Sequence, residues 1–291
     1  MRGVFMKLAG RFLKLSAAAL AAVPLCAYSA RTVPLDYNND GKVNIFDMVT
    51  ARRMNLPENE LRRLHTFIMS GQYIPENNFT IDESCILEPK GTVHTGEGTF
   101  YGGGYVGGCA MLDPVSTDYW IVAMNLEDYN EAQLAGAYIE VTGELGTINM
   151  LVTDLLPEGK KGDLDLYVDA FPLIAPAEKG RVPVSWKIIP LDSAENAPVS
   201  YKYKEGSSEF WLGVQVRNHR YPITKLEYLD ENGVFQEIKR RRYNYFESDK
   251  MGKGPFTFRI TDIYGQVVID ENIPFSYDDT EIIQGHVQLP E

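Results

Sequence analysis

From residue 92 onward the apolar residues fall in short continuous or alternating runs, not at helical spacing. Ile121–Met124, Tyr138–Val141, Asn149–Val152 and Val182–Trp186 have strand length, and turn residues separate them about every ten positions. That spacing predicts a small β-barrel, with one helical turn from Glu131 to Ala135. After Pro190 the pattern restarts with Phe210–Val216, Lys225–Tyr228, Phe235–Ile238, Phe256–Ile260 and Val267–Ile269. Asp230-Glu231-Asn232-Gly233 is a strong hairpin turn, and this second half reads as a β-sandwich. Strand parity puts Phe210, Leu212, Val214 and Val216 on one face and Trp211, Gly213, Gln215 and Arg217 on the other. The second face is polar, so Trp211 is expected at the surface. Phe210 belongs to the core face unless the start of the strand turns it outward.

Before residue 75 the periodicity is helical. Ile45, Met48, Val49 and Leu56 recur on one face of a helix, and Leu61, Leu64 and Ile68 form the stripe of a second one after Pro57. The first helix follows a run from Asp36 to Asp47 with oxygen ligands at Asp36, Asn38, Asp40, Asn44 and Asp47, and Gly41 for the sharp turn. Lys42 would offer its backbone carbonyl, and the set predicts a calcium loop. Residues 75–91 break every period and read as a linker. At the extreme N-terminus, Arg2, Lys7, Arg11 and Lys14 precede a short apolar run, Leu15 to Leu25, and then Ala27-Tyr28-Ser29. This is the pattern of a cleaved export signal over residues 1–30; the apolar run is too short to span a bilayer. Export would leave Cys85 and Cys109 where a disulfide can form, and they are the candidate pair; a free pair is the alternative.

Composition narrows the function classes. The chain of 291 residues is 44% hydrophobic and 23% charged, enough for ordinary globular cores. Net charge is −12, and without the four basic residues of the signal it is 24 basic against 40 acidic, or −16. Such a chain is a poor general binder of nucleic acid or anionic membrane. Three cysteines and four scattered histidines exclude a zinc-finger array or an iron–sulfur protein. Gly102 to Gly107 matches a dinucleotide-binding glycine pattern but is followed by strands, which removes its meaning. There is no nucleophile-elbow serine. Aromatics at 11%, with 17 Tyr, favour β structure and a sugar-binding surface. Asp154 and Asp165 lie on neighbouring β segments, the raw material of acid/base glycoside chemistry, or else ordinary turn aspartates. Lys239–Arg242 is the one concentrated positive patch, read as a solvated edge that meets acidic polymers or discourages edge pairing.

Two resemblances add to this reading. The loop and helices over residues 36–74 resemble dockerins, with one intact loop and a second helix that lacks its own. Residues 95–190, through Gly98-Thr99-Phe100-Tyr101-Gly102, Gly107 to Pro114, Leu134 to Val141, Val152-Thr153-Asp154-Leu155 and Leu164-Asp165-Leu166, resemble the double-psi β-barrel of bacterial expansins. Residues 190–291, through Tyr203 to Ser208, Gln215 to Pro222, Tyr243-Asn244 and Gly285 to Gln288, resemble the expansin C-terminal domain, a family 63 carbohydrate-binding module. The resemblance implies a polysaccharide groove lined by Thr99, Asp154 and Asp165. It implies a cellulose-gripping aromatic line at Phe210, Trp211 and Tyr243, with Lys204 beside it. A groove tyrosine common in the family is Leu156 here. Asp165 falls on the general-acid position of related glycoside hydrolases, and nothing falls on their base.

The expected architecture is mainly β. Segment 31–74 is a small α-helical calcium module, 92–189 a six-stranded double-psi barrel and 190–291 an immunoglobulin-like β-sandwich. The expected function is secreted, non-hydrolytic loosening of cellulose and associated plant cell-wall polysaccharide by a monomer. A cohesin-bearing scaffoldin is the candidate protein partner, and calcium the one cofactor, confined to the dockerin-like loop. The alternatives are a weak endoglucanase or lytic transglycosylase, or a binding-only cellulosomal component.

Overall fold

The computed structural model describes residues 37, 42–56, 61, 64, 65, 68, 80–195, 197–249 and 251–291. The export signal and the calcium ligands Asp36, Asn38 and Asp40 lie outside the described residues. The chain divides into two compact units, residues 1–72 and 73–291. In the first, helix α1 (Ile45–Arg53) starts at a capping box: Phe46 N–H donates to Asn44 Oδ1 and Asn44 N–H to Asp47 Oδ2, both at 2.8 Å. Its buried positions are Asp47, Met48 and Ala51, the latter two gathered with Tyr37 and Leu64. Ile45 and Val49, expected on that stripe, are exposed instead, because positions 48 and 51 are the ones that meet Leu64 and Tyr37.

The second unit holds a closed barrel of six strands, β2 (His94–Tyr101), β3 (Trp120–Asn125), β4 (Tyr138–Thr142), β5 (Thr147–Leu156), β6 (Leu164–Tyr167) and β7 (Val182–Ile189), in the order β2-β6-β3-β5-β4-β7. Alternate residues fill its interior, among them Met124, Ile139, Met150, Leu166, Val184 and Trp186. Two glycines permit the tightest approach: a Cβ on Gly96 would stand 2.2 Å from the Gly162 backbone, and Gly162 itself has φ +87. Trp186 closes this corner by donating from Nε1 to Gly162 O at 2.9 Å. The expected helical turn at 131–135 is displaced. A four-residue helix, α2 (Leu126–Tyr129), comes first, and Asn130, Glu131 and Ala132 then adopt positive φ, which ends it.

Two five-stranded sheets follow. One runs β1-β15-β14-β10-β11, from β1 (Thr80–Ile81), β10 (Ile223–Leu229), β11 (Phe235–Glu237), β14 (Phe256–Asp262) and β15 (Gln266–Ile273). The other runs β12-β13-β9-β8-β16, from β8 (Ser200–Tyr203), β9 (Trp211–Arg217), β12 (Lys239–Arg240), β13 (Phe246–Asp249) and β16 (Ile282–Gln284). They share a core of Tyr201, Leu212, Val214, Phe246, Phe258 and Ile260. The hairpin turn forms as expected: Asp230 accepts from Asn232 N–H and Val234 N–H at 2.9 Å each. Residues 80–91, marked by the sequence as linker, are tied to this half. β1 pairs with β15, Leu87 N–H donates to Ile263 O at 2.9 Å, and Lys225 reaches Asp82 at 3.2 Å. The candidate disulfide does not form. Cys85 and Cys109 are free thiols, one at the short 3-10 helix (Glu83–Cys85) beside Asp82, the other on the barrel beside Asp154.

Candidate functional site

Strand register assembles the barrel site. Thr99 on β2 lies opposite Asp165 on β6; Asp165 lies opposite Ala123 on β3; Ala123 lies opposite Asp154 on β5. A register shift after Val122 brings Asp154, not Thr153, to that position. The three expected residues thus form one row, with the two aspartates two strand spacings apart, roughly 10 Å between Cα atoms. Thr99 Oγ1 donates to Asp165 Oδ1 at 2.5 Å. Burial pushes the Asp165 carboxyl above the usual range, the Glu158 charge adds to this, and the Thr99 hydrogen bond and Arg181 oppose it. Asp154 is held differently, since its Oδ1 accepts the backbone N–H groups of Cys109 at 2.9 Å and Leu155 at 2.8 Å. Nearby Asp163 is a backbone clasp, accepting from Glu97 N–H and Lys160 N–H.

Three tyrosines missed by the sequence reading border the row. Tyr101 follows Thr99 by two and Tyr167 follows Asp165 by two, so period-two parity places them on the same outer face, opposite one another in register. Tyr167 stands edge-on to Tyr101 at 6.2 Å and to Tyr105 at 5.4 Å. Desolvation, then the charges of Asp154 and Asp165, push the Tyr101 phenol up to about 12. Leu156 sits on the opposite side of the row, because β5 runs antiparallel to β6 and β2 runs parallel to it.

On the sandwich, Trp211, Tyr243 and Lys204 come together. Lys204 Nζ lies 5.9 Å from each of the two ring centroids. A Cβ on Gly213 would stand 3.0 Å from Lys204 Cβ and 3.5 Å from the indole, so this glycine leaves the room in which the ring lies against the sheet. The Tyr243 hydroxyl donates to Glu247 Oε1, and Arg241 holds the other oxygen at 2.8 Å. Phe210 precedes β9 and is 72% exposed, so the strand start does turn it outward.

The rest of the outward face of β9 is not free surface. Gln215 donates to Ala110 O at 2.9 Å, and Arg217 donates to Met111 O at 2.8 Å and Asp113 O at 2.9 Å. The barrel loop 107–113 therefore reaches the groove through Cys109 N–H and the sandwich through its carbonyls. The basic run also departs from expectation. Arg240 is turned into the junction, donating to Ala132 O at 2.5 Å; Arg241 pairs with Glu247; Arg242 pairs with Glu131 at 2.6 Å. Arg240 is a junction residue because the barrel packs over its side chain, while Lys239 and Arg242 stay exposed, as a solvated edge would.

In the N-terminal unit, Asn44 and Asp47 serve the helix cap, and Asp47 Oδ1 also accepts Tyr37 N–H at 2.8 Å. Lys42 is exposed.

No family model matches the chain. Expansin-YoaJ of Bacillus subtilis is 40% identical over 206 residues, covering 68% of this chain and 88% of that protein. Expansin-like protein 6 of Dictyostelium discoideum is 26% identical over 159 residues, covering 51% and 54%. Among solved structures, a Clavibacter michiganensis expansin variant in complex with cellohexaose matches with TM-score 0.61 and 26% identity, over 69% of this chain and 99% of that one. The same expansin without ligand gives 0.62 and 27% over the same shares. With a closed double-psi barrel, its row of Thr99, Asp165 and Asp154, and this extent of similarity, the chain belongs to the expansin family.

Proposed function

We propose that the protein is exported, binds cellulose and related wall glucans, and loosens them without hydrolysis. The observation that carries this reading is the pairing of a polar groove and an aromatic platform on one folded unit, in a chain with 40% identity to a bacterial expansin. Trp211 and Tyr243 offer apolar ring faces to the C–H faces of pyranose rings, with Lys204 between them. Thr99 and Asp165 offer directional groups to sugar hydroxyls. Asp165, with its raised carboxyl, has the character of an acid, but hydrolysis also needs a base placed for water. Asp154 already accepts two backbone N–H groups, which favours a gripping role over water activation.

The test is filter-paper weakening by purified protein with soluble reducing sugar assayed in the same tube. Weakening without sugar supports the reading; sugar lost in Asp165→Asn makes the barrel a glycanase and overturns it. Cellulose binding without weakening leaves the binding-only role.

The same reading gives the loop 36–47 one calcium ion, held by Asp36, Asn38, Asp40, Asn44, Asp47 and the Lys42 carbonyl, in a segment that docks on a cohesin. Calorimetry on the full chain should show calcium heat that Asp40→Ala abolishes; equal heats would refute the site.

A further inference from the structure

We propose that Tyr101, Tyr167 and Tyr105 form a second row of sugar-facing rings, on the barrel, which takes a single dissolved β-glucan chain and not a crystalline cellulose face. This rests on the glucan-binding reading above and adds to it the residues and the physical state of the polymer.

The tyrosines flank the polar row on one side. Tyr101 and Tyr167 share the outer face of Thr99 and Asp165 and sit one register step beyond them. All five side chains, Thr99, Asp165, Tyr101, Tyr167 and Tyr105, are half-buried, as expected of the walls of a groove. Tyr105 carries the row to an open cleft of about 450 Å³ between the two halves, which it lines with Lys202, Asp279 and Thr280. The Tyr105 hydroxyl itself is buried without a hydrogen-bond partner, so this residue meets the cleft through its ring.

The ring angles decide which form of the polymer fits. Tyr167 stands at 83° to Tyr101 and at 82° to Tyr105. Successive rings are therefore perpendicular, and a flat crystal face cannot meet two perpendicular rings at once. A single chain can, because its hydroxyl edges are uncovered as well as its C–H faces, so one ring meets a face and the perpendicular ring an edge. The order along the groove is then hydroxyl recognition at Thr99 and Asp165, followed by ring contact at Tyr101, Tyr167 and Tyr105.

The experiment uses the full chain carrying Trp211→Ala and Tyr243→Ala, with ring-labelled tyrosine, titrated with cellohexaose and followed by NMR. Signals lost in Tyr101→Phe and Tyr167→Phe controls assign the rings. The expected result is a shift of the Tyr101 and Tyr167 signals, with cellohexaose affinity falling tenfold or more on adding Tyr101→Ala and twofold or less on adding Tyr101→Phe. In the protein with its sandwich platform intact, Tyr101→Ala should leave binding to crystalline cellulose within twofold. Unshifted Tyr101 and Tyr167 signals at millimolar cellohexaose would overturn the proposal. So would a Tyr101→Ala protein with an unaltered thermal midpoint that loses crystalline-cellulose binding as far as Trp211→Ala does. Failure of the broader reading looks different: wild type that neither binds nor weakens cellulose, whatever the tyrosine signals do.

Discussion

On the barrel, Thr99 and Asp165 are fixed by adjacent strands of a closed ladder and by a hydrogen bond of 2.5 Å, whereas on the sandwich Trp211 and Tyr243 come from a strand start and a turn and close around one lysine stem. The first arrangement is directional. Its groups are partly withdrawn from water, and a small displacement would break them. The second is non-directional, and ring contact tolerates sliding. A protein that holds a polymer loosely at one surface and engages its hydroxyls at another needs both kinds of order. The loop 107–113 joins them, since its Cys109 N–H positions Asp154 and its carbonyls receive Arg217 and Gln215.

The sharpest break of this contrast is Asp165→Asn. It keeps shape but removes the charge and the carboxyl proton. Paper-weakening activity should fall at least tenfold while cellulose pull-down stays within twofold; undiminished activity would leave Asp165 only a structural partner of Thr99.

Arg217→Met attacks the link and spares both surfaces. It strips the charged donor from Met111 O and Asp113 O in a buried junction, a loss of about 3 kcal/mol. Calorimetry should show the melting of unit 73–291 lowered or split into two transitions, and an unchanged single transition would refute the link.

Acid tests the same junction. Burial, with the nearby charge of Arg240, lowers His219 from 6.5 to about 4. The unfolded chain therefore takes up a proton at a pH where the folded one does not, so stability is fully present above 6.5 and declines as pH falls from 6.5 toward 4. From 6.5 to about pH 5 the loss should be about 2 kcal/mol, seen as a falling thermal midpoint that His219→Gln flattens. A wild-type midpoint flat across this range would contradict it.

The smallest effects belong to the platform. Trp211→Ala and Tyr243→Ala should each weaken cellulose binding by about 1 kcal/mol without changing the thermal midpoint. Isotherms equal to wild type, or a collapse in stability, would show that these rings do not face the polymer.

The strands, the hairpin turn and the core face of β9 were legible because each is written in local alternation: Leu212, Val214 and Val216 are buried as parity required. The same parity places Tyr101 and Tyr167 two positions beyond Thr99 and Asp165, on the side of the row away from Leu156. What no local pattern carries is the covering of one element by a distant one. Gln215 and Arg217 read as an exposed polar face, yet they donate to carbonyls more than a hundred residues away in sequence. The burial of Arg240 is hidden from local pattern for the same reason, and of the ligand-like residues of the 36–47 loop the described structure includes Lys42, exposed, and Asn44 and Asp47, as cap residues.

The arginines folded into the junction and its rim have an effect far from them. With Arg241 and Arg242 paired to Glu247 and Glu131 and Arg240 held on backbone carbonyls, the densest cluster of positive charge is engaged by the protein's own groups in a chain of net charge −12. In a gel that carries fixed negative charge, such a solute is a co-ion. Donnan exclusion lowers its concentration within the pores, and dissolved salt restores it by shortening the range of the repulsion. How far the protein penetrates an acidic matrix is then governed by the ionic strength of the pore fluid, before a single sugar ring is touched.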